Sequence, residues 1–447
     1  MISRAAFRGG PLSSPSFRLL AAGQLTSTVG DYCYAVALPW LVLSTHGGPV
    51  LLGAVLAGYG VPRTVLIPVG GMLADKIGTR TIMLTADAAR CGLVAALAVF
   101  AAEHVASLAA LGPLAALLGA GEGLFIPASF AIMPFLLEPE RLQAGNAINS
   151  AAVQVGSVAG PLLGGLLVAT AGPAPAFAVD AASFAASALS LALIRLTGPA
   201  GRAAQSAAAA ETETPDTEAA DTGPTATRPG GAAETAAGQP SAGVWSLLRQ
   251  ARLLQVIVVV VVAANLASGG TFDIALPALA HARFGPGGYG ALIACLGAGA
   301  VIGTLAAALS SKADRPAVLA CACYLIEAAA IALVPFLGGL AGAAAATFVL
   351  GGCNGLGNVI FLTLVQRWAP PRLLGRVMSV VMLAGLGSFP LSVAVSGVLV
   401  RHLGPAPFFP VAGAVVAVAI LGALSQAEFR DFGTAEPPEA KMTIEPA

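Results

Sequence analysis

Apolar residues in this chain come in long unbroken runs, not in the alternation of a half-buried strand or the three-and-four spacing of a surface helix. Twelve runs are long enough to cross a bilayer core, which takes about 20 helical residues. They are 18–44, 49–74, 81–101, 107–137, 144–170, 174–196, 253–279, 287–311, 316–337, 340–367, 374–400 and 405–426. The second and fourth exceed a perpendicular crossing, which predicts tilt or kinks. Continuous runs predict helices, because barrel strands alternate over about ten residues. The first run is too long for a removable signal peptide and lacks a small-residue cleavage site.

The polar breaks divide the chain. From Ala200 to Ala242 there is no Leu, Ile, Val, Met, Phe, Tyr or Trp, so the segment cannot build a core and is expected to be a disordered linker. "VWSLLRQARLL" after it regains helical character, with Val244, Leu247, Leu248 and Leu254 on one side, and predicts a short interfacial helix leading into the seventh span. The expected division is residues 1–199 as a six-helix bundle, 200–243 as linker, 244–428 as a second bundle beginning with the interfacial helix, and 429–447 as tail. The halves echo each other: "PERLQAGNAINS" from Pro139 is similar to "PPRLLGRVMSV" from Pro370, 231 residues later. The loop "GGMLADKIGTR" (70–80) has a weaker counterpart in "ALSSKADR" (308–315). Six plus six helices related by a repeat is a transporter architecture, with the substrate path between the halves.

Composition supports a membrane protein: 57% of the 447 residues are hydrophobic and 10% charged, against roughly a quarter charged in soluble domains. If both termini are cytoplasmic, eighteen of the twenty-two Lys and Arg fall in internal segments, and only Arg283 and Arg401 fall outside. That asymmetry sets topology. Net charge is zero, which offers nothing to nucleic acid. The histidines, His46, His104, His281 and His402, fall in expected external loops as ordinary polar residues. The six cysteines, Cys33, Cys91, Cys295, Cys321, Cys323 and Cys353, lie within spans as small apolar residues without metal-ligand spacing. No metal or cofactor is expected.

Two motifs carry a family resemblance. The 70–80 loop fits Gly-x-Leu-Ala-Asp-basic-x-Gly-x-basic at Gly71, Leu73, Ala74, Asp75, Lys76, Gly78 and Arg80, with Thr79 where an arginine is usual. "GSVAGPLLGG" in the fifth span fits Gly-x-x-x-Gly-Pro-x-x-Gly-Gly at Gly156, Gly160, Pro161, Gly164 and Gly165. Together they resemble the major facilitator superfamily, the second its exporters. "FIPASFAIMPFLLEPERLQAGNA" and "QRWAPPRLLGRVMSV" further resemble the branch holding macrolide-efflux and enterobactin-exporter proteins. The resemblance implies an all-α integral membrane fold of two pseudo-symmetric six-helix bundles, working by alternating access. It also implies a pocket lined by helices one, two, four, five, seven, eight, ten and eleven. Candidate liners there are Gln24, Tyr32, Asn149, Gln154, Asn265 and Asn354.

The glycine signature has its own physics. Residues four apart drift only about 40° around a helix, so Gly156, Gly160 and Gly164 form one stripe that admits close approach of another helix. Pro161 removes a backbone donor and favours a bend. A glycine-faced, bent helix suits sliding or rocking.

Charges within spans cost several kcal/mol unless they face a cavity or a partner. Asp31, Arg63, Glu122 and Glu327 fall near mid-membrane and are the candidates for proton coupling or for meeting substrate charge. Arg63 is expected to pair with Asp31 or Glu122, and Asp87 with Arg90 three residues on. Asp180 and Asp273 fall nearer the outer ends, where water or an interfacial partner can satisfy them. Asp75 opposes the helix dipole in the last turn of the second helix and needs a partner. The start of helix eleven, near Gly375 and Arg376, is expected to supply it, latching the cytoplasmic side of an outward-open state.

The resulting expectation is a monomeric, multi-pass transporter of the plasma (inner) membrane that exports a hydrophobic or amphipathic, drug- or macrolide-like molecule in exchange for protons. Its partners are that substrate, protons and the lipid bilayer. The alternatives are a siderophore or lysophospholipid exporter, or a non-transporting scaffold or sensor. An enzyme is not expected, since nucleophile elbow, phosphate loop and clustered metal ligands are missing.

Overall fold

A computed structural model describes residues 10–45, 47–105, 107–195, 252–307, 315–369 and 373–430. The expected linker, the interfacial segment up to residue 251 and the tail beyond 430 lie outside these. Twelve long helices make up the described chain: α1 Pro15–Ser44, α2 Gly48–Ile77, α3 Thr79–Ala102, α4 Leu108–Ala131, α5 Pro139–Ala171 and α6 Pro173–Leu193. The second set is α7 Arg252–Arg283, α8 Gly285–Ala307, α9 Pro316–Leu333, α10 Gly339–Trp368, α11 Leu374–Leu403 and α12 Pro405–Leu424. A single turn, α13 Ala427–Arg430, follows.

Eleven of the twelve are long and apolar enough to cross a membrane. The exception is α1, 30 residues long, whose Arg18, Gln24, hydroxyl run Thr26 to Thr28 and Asp31 lower its mean hydropathy. Most boundaries follow local chemistry. Gly78 closes α2 and opens α3 at φ 91°, a left-handed conformation that glycine adopts without a Cβ penalty. Glycines at a similar positive φ, each followed by proline, join α5 to α6 at Gly172-Pro173 and α11 to α12 at Gly404-Pro405. The fourth span ends earlier than expected, at Ala131, and continues as a 3-10 turn over Met133–Phe135. Pro134 disfavours helical geometry in the residue before it. The helix expected from residue 144 begins at Pro139, a proline at the first helical position.

Within the first half α2 packs closely on α4, and within the second α8 on α10. Glycines permit both approaches. A Cβ on Gly123 would meet the Arg63 carbonyl oxygen at 2.5 Å and one on Gly70 the Leu124 Cα at 2.8 Å. Gly351 and Gly355 of α10 lie equally tight on Leu296 and Ala300 of α8. The pseudo-symmetry hinted at in sequence is thus a repeated packing device.

The halves meet along α2 with α11 and α5 with α8, both antiparallel. In the first seam Gly53 lies on the Val393 carbonyl, Gly60 on Phe389 and Pro390, and Thr64 Oγ1, which donates to the Gly60 carbonyl at 2.9 Å, also lies 3.4 Å from the Leu386 carbonyl of α11. In the second, Gly165 meets Gly290, and Gly297 meets Ser157. All these contacts lie in the part of each helix away from the chain ends. Nearer the face bearing the described N-terminus no described glycine touches the opposite half, and the interior side chains of Asp31, Arg63 and Glu122 stay partly exposed, so a cleft opens between the halves on that face.

Candidate functional site

Apart from Asp273, the charged side chains in the interior of the described spans fall into three groups. The largest lies where α1, α3 and α6 meet. Arg90 Nη2 donates to Asp31 Oδ1 at 3.1 Å, and Arg90 Nη1 stands 3.7 Å from Asp87 Oδ1. Its guanidinium sits over Phe184, 4.1 Å from the ring centroid, and 5.6 Å from the ring centre of Phe125, so aromatic faces add cation–π attraction. Asp87 is fully buried and accepts from Ser187 Oγ at 2.6 Å. Asp180, 1% exposed, accepts from Ser183 Oγ at 3.3 Å and lies against Gly30 of α1.

Asp87 and Arg90 pair as expected. Arg63 pairs with one expected partner only: it bonds Glu122 at 3.3 Å, while Asp31 belongs to Arg90. Asp180 does not sit among waters at an outer end. It is sealed in the network, because α6 turns a stripe of Asp180, Ser183, Ser187 and Ser190 toward α1 and α3. That spacing of three, four and three marks one helix face and was legible in sequence.

The second group borders the cleft. Arg63 and Glu122 are a quarter and a fifth exposed, and Arg63 Nε is buried with no hydrogen-bond partner. The Asp31 side chain, 45% exposed, shares this region. Arg63 adjoins Thr64, the residue that meets α11, so it stands where the closed seam gives way to the open cleft.

The third group is in the second half. Glu327 of α9 is 2% exposed and accepts from Asn354 Nδ2 of α10 at 3.2 Å. Glu327 therefore has a partner in Asn354, one of the liner candidates. Among the other liner candidates, Asn265 is exposed and donates to the Val261 carbonyl, Gln24, Tyr32 and Gln154 are half-buried, and Asn149 Oδ1 is buried without a partner.

The 70–80 loop is resolved into separate parts. Arg80 donates to the carbonyls of Leu191 at 2.8 Å and Ala192 at 2.6 Å, capping the end of α6. Lys76 and Asp75 are exposed, and Asp75 forms no ion pair among the described residues. The tight glycine is Gly70, whereas Gly71 has space around it. Arg376, near the start of α11, has interactions of its own. The expected Asp75–Arg376 contact is not made, which accords with a cleft open on this face.

The fifth-span signature also divides. Cβ atoms on Gly156, Gly160 and Gly164 would meet Thr28, Tyr32 and Cys33 of α1 at 2.6, 2.5 and 2.9 Å. That stripe packs inside one half. A Cβ on Gly165 would instead meet the Cα of Gly290 at 3.0 Å, and the Pro161 carbonyl abuts Gly290. Only Gly165 and Pro161 of this signature work between the halves. At the same closed end the Trp40 and His281 rings of α1 and α7 lie 4.8 Å apart. His281 and His402 are in the last turns of helices, not in loops.

The Major Facilitator Superfamily sequence model matches residues 20–389. The chain belongs to the Major Facilitator Superfamily. It is 31% identical over 187 residues to the multidrug efflux pump Tap of Mycolicibacterium fortuitum, covering 40% of this chain and 45% of that protein. It is 32% identical over 173 residues to the enterobactin exporter EntS of Shigella boydii, covering 38% and 40%. These alignments span less than half of either relative. A longer alignment joins 92% of the chain, at 26% identity, to 94% of an uncharacterized MFS-type transporter, y4rN, of Sinorhizobium fredii. A crystal structure of a POT family transporter with a thioalcohol-conjugated peptide superposes with a TM-score of 0.68 over 92% of this chain and 95% of its own, at 13% identity. That likeness concerns the fold alone.

As a major facilitator the chain belongs to a family of multi-pass membrane transporters, and a cleft lies between its halves. The residues bordering that cleft are Asp31, Arg63 and Glu122 from the first half and Asn265 from the second.

Proposed function

We propose that this major facilitator exports a hydrophobic or amphipathic, cationic small molecule in exchange for protons. With both termini cytoplasmic, as the distribution of basic residues favours, the described conformer is inward-open in the inner membrane. The observation that carries the reading is the Arg63–Glu122 pair at the boundary between closed seam and open cleft, with partly exposed Asp31 beside Arg90. A carboxylate with one cationic partner and partial access to water can take a proton when the partner or the access changes. Burial and arginine act on it in opposite senses. The Tap and EntS alignments support export. Each inward proton at 100 mV supplies about 2.3 kcal/mol, enough for roughly a fiftyfold gradient if fully coupled.

The test is efflux of a fluorescent cation in everted vesicles by wild type, Glu122→Gln, Asp31→Asn and Glu327→Gln. Loss of proton-dependent efflux is expected in at least the first two. Retention in all three refutes the assignment.

A second reading, export of an anionic siderophore-like compound, draws on the similarity to EntS and on the unpartnered Arg63 Nε. In that case Arg63→Ala abolishes affinity, whereas the acid variants spare it.

A further inference from the structure

Six acids lie in the interior of the described spans: Asp31, Asp87, Glu122, Asp180, Asp273 and Glu327. Two cations, Arg63 and Arg90, accompany them, both on the first half. Arg90 serves Asp31 and Asp87, and Arg63 serves Glu122. Asp180 and Glu327 are buried and hold hydrogen bonds from Ser183 and Asn354. Asp273 differs from all five. It is half-buried and forms no hydrogen bond or ion pair among the described residues. An ionisable side chain without a protein partner at this depth faces the bundle interior or a water-filled cavity.

Its backbone is equally distinctive. Pro277 has no N–H to give the carbonyl four residues earlier, that of Asp273, so the α-helical ladder fails there. The chain answers with a π-helical turn over Thr271–Ala275, in which the Leu276 N–H bonds the Thr271 carbonyl. Such turns are rare and occur frequently at functional sites. This one packs against α2 of the opposite half and against α11, at the junction of the halves. Gly269 and Gly270 just before it lie on Ser392 and Ser396 of α11. Arg63 is engaged with Glu122.

We propose that Asp273 is the specificity-determining residue that receives the positive charge of a cationic substrate, on the one half of the transporter that has no cation of its own among its interior charges. The assignment rests on the export reading above. The cation's apolar body lies in the cleft while its charge faces the π-turn. Arg63 repels a cation from the first half and leaves Asp273 as the available counter-charge. The first half then gates and the second half selects.

The test uses purified full-length protein in liposomes and two probes, the cation tetraphenylphosphonium and the uncharged dye Nile red. Asp273→Asn is expected to weaken tetraphenylphosphonium binding by about tenfold or more, the equivalent of about 1.4 kcal/mol, while Nile red transport stays within about twofold. Asp273→Glu is expected to keep cation binding within about threefold of wild type. The assignment is overturned if Asp273→Asn binds the cation like wild type. Parallel loss of both probes also overturns it, since that marks a positioning role through Arg63. A wild type that transports Nile red but binds no tetraphenylphosphonium overturns Asp273 alone, whereas one that transports neither probe refutes export and this assignment together.

Discussion

Substituting valine at Gly165 places side-chain bulk between the halves and nowhere else. A Cβ there stands 3.0 Å from the Gly290 Cα and 3.1 Å from the Pro286 carbonyl oxygen, before any γ-methyl is added. Both neighbours are backbone, so no rotamer change relieves the clash and α8 must retreat. Overpacking of this kind costs about 1–3 kcal/mol. The cost falls on the conformer whose seam is closed here and disappears when α5 and α8 separate. At about 1.4 kcal/mol per tenfold, the equilibrium moves about 5- to 150-fold away from the described conformer. Spin labels at Met72 and Met382, both exposed on the open face, read the change by pulsed dipolar spectroscopy as a gain of short distances. The control is Gly160→Val, whose bulk meets Tyr32 and Val29 within one half. It strains both conformers alike and lowers thermal stability without moving the distances. Unchanged distances in Gly165→Val, or an equal shift in Gly160→Val, would defeat the reasoning.

Two further outcomes are expected. Arg90→Met leaves Asp31 and Asp87 without their cation, and breaking a buried pair costs about 3–5 kcal/mol, seen as a large loss of thermal stability in detergent; wild-type stability would contradict the network. Asp75→Asn is expected to slow transport while insertion and thermal stability stay normal, because its latch to the start of α11 belongs to the opposite conformer; a normal transport rate counts against that latch.

The architecture was legible because burial in lipid demands long apolar helices, and twelve such runs stand out whatever their packing. The Asp87–Arg90 pair was legible because three residues on a helix fix a shared face. Helix rotation was not. It decided that Arg90 takes Asp31 and that Arg63 keeps Glu122. Depth along a span was a poor guide to environment: Asp180, expected near water, is sealed by serines of its own helix, while Asp273 borders the seam. The π-turn had a sequence cause in Pro277, yet a single proline announces a break and not its register. Close packing at Gly70, Gly119 and Gly123 escaped notice because 54 glycines in one chain blur any single stripe.

The closed ends of both seams are built largely from main chain, with Gly53 against Val393 and Gly397, and Gly165 against Gly290. Such a joint recognises only the absence of side chains. It is blind to cargo, and a mutation that remodels the cleft to admit a new compound leaves the joint's energy unchanged. Diversification of what is carried is thereby uncoupled from the mechanics of carrying it, and a lineage can explore new substrates without rebuilding its gate.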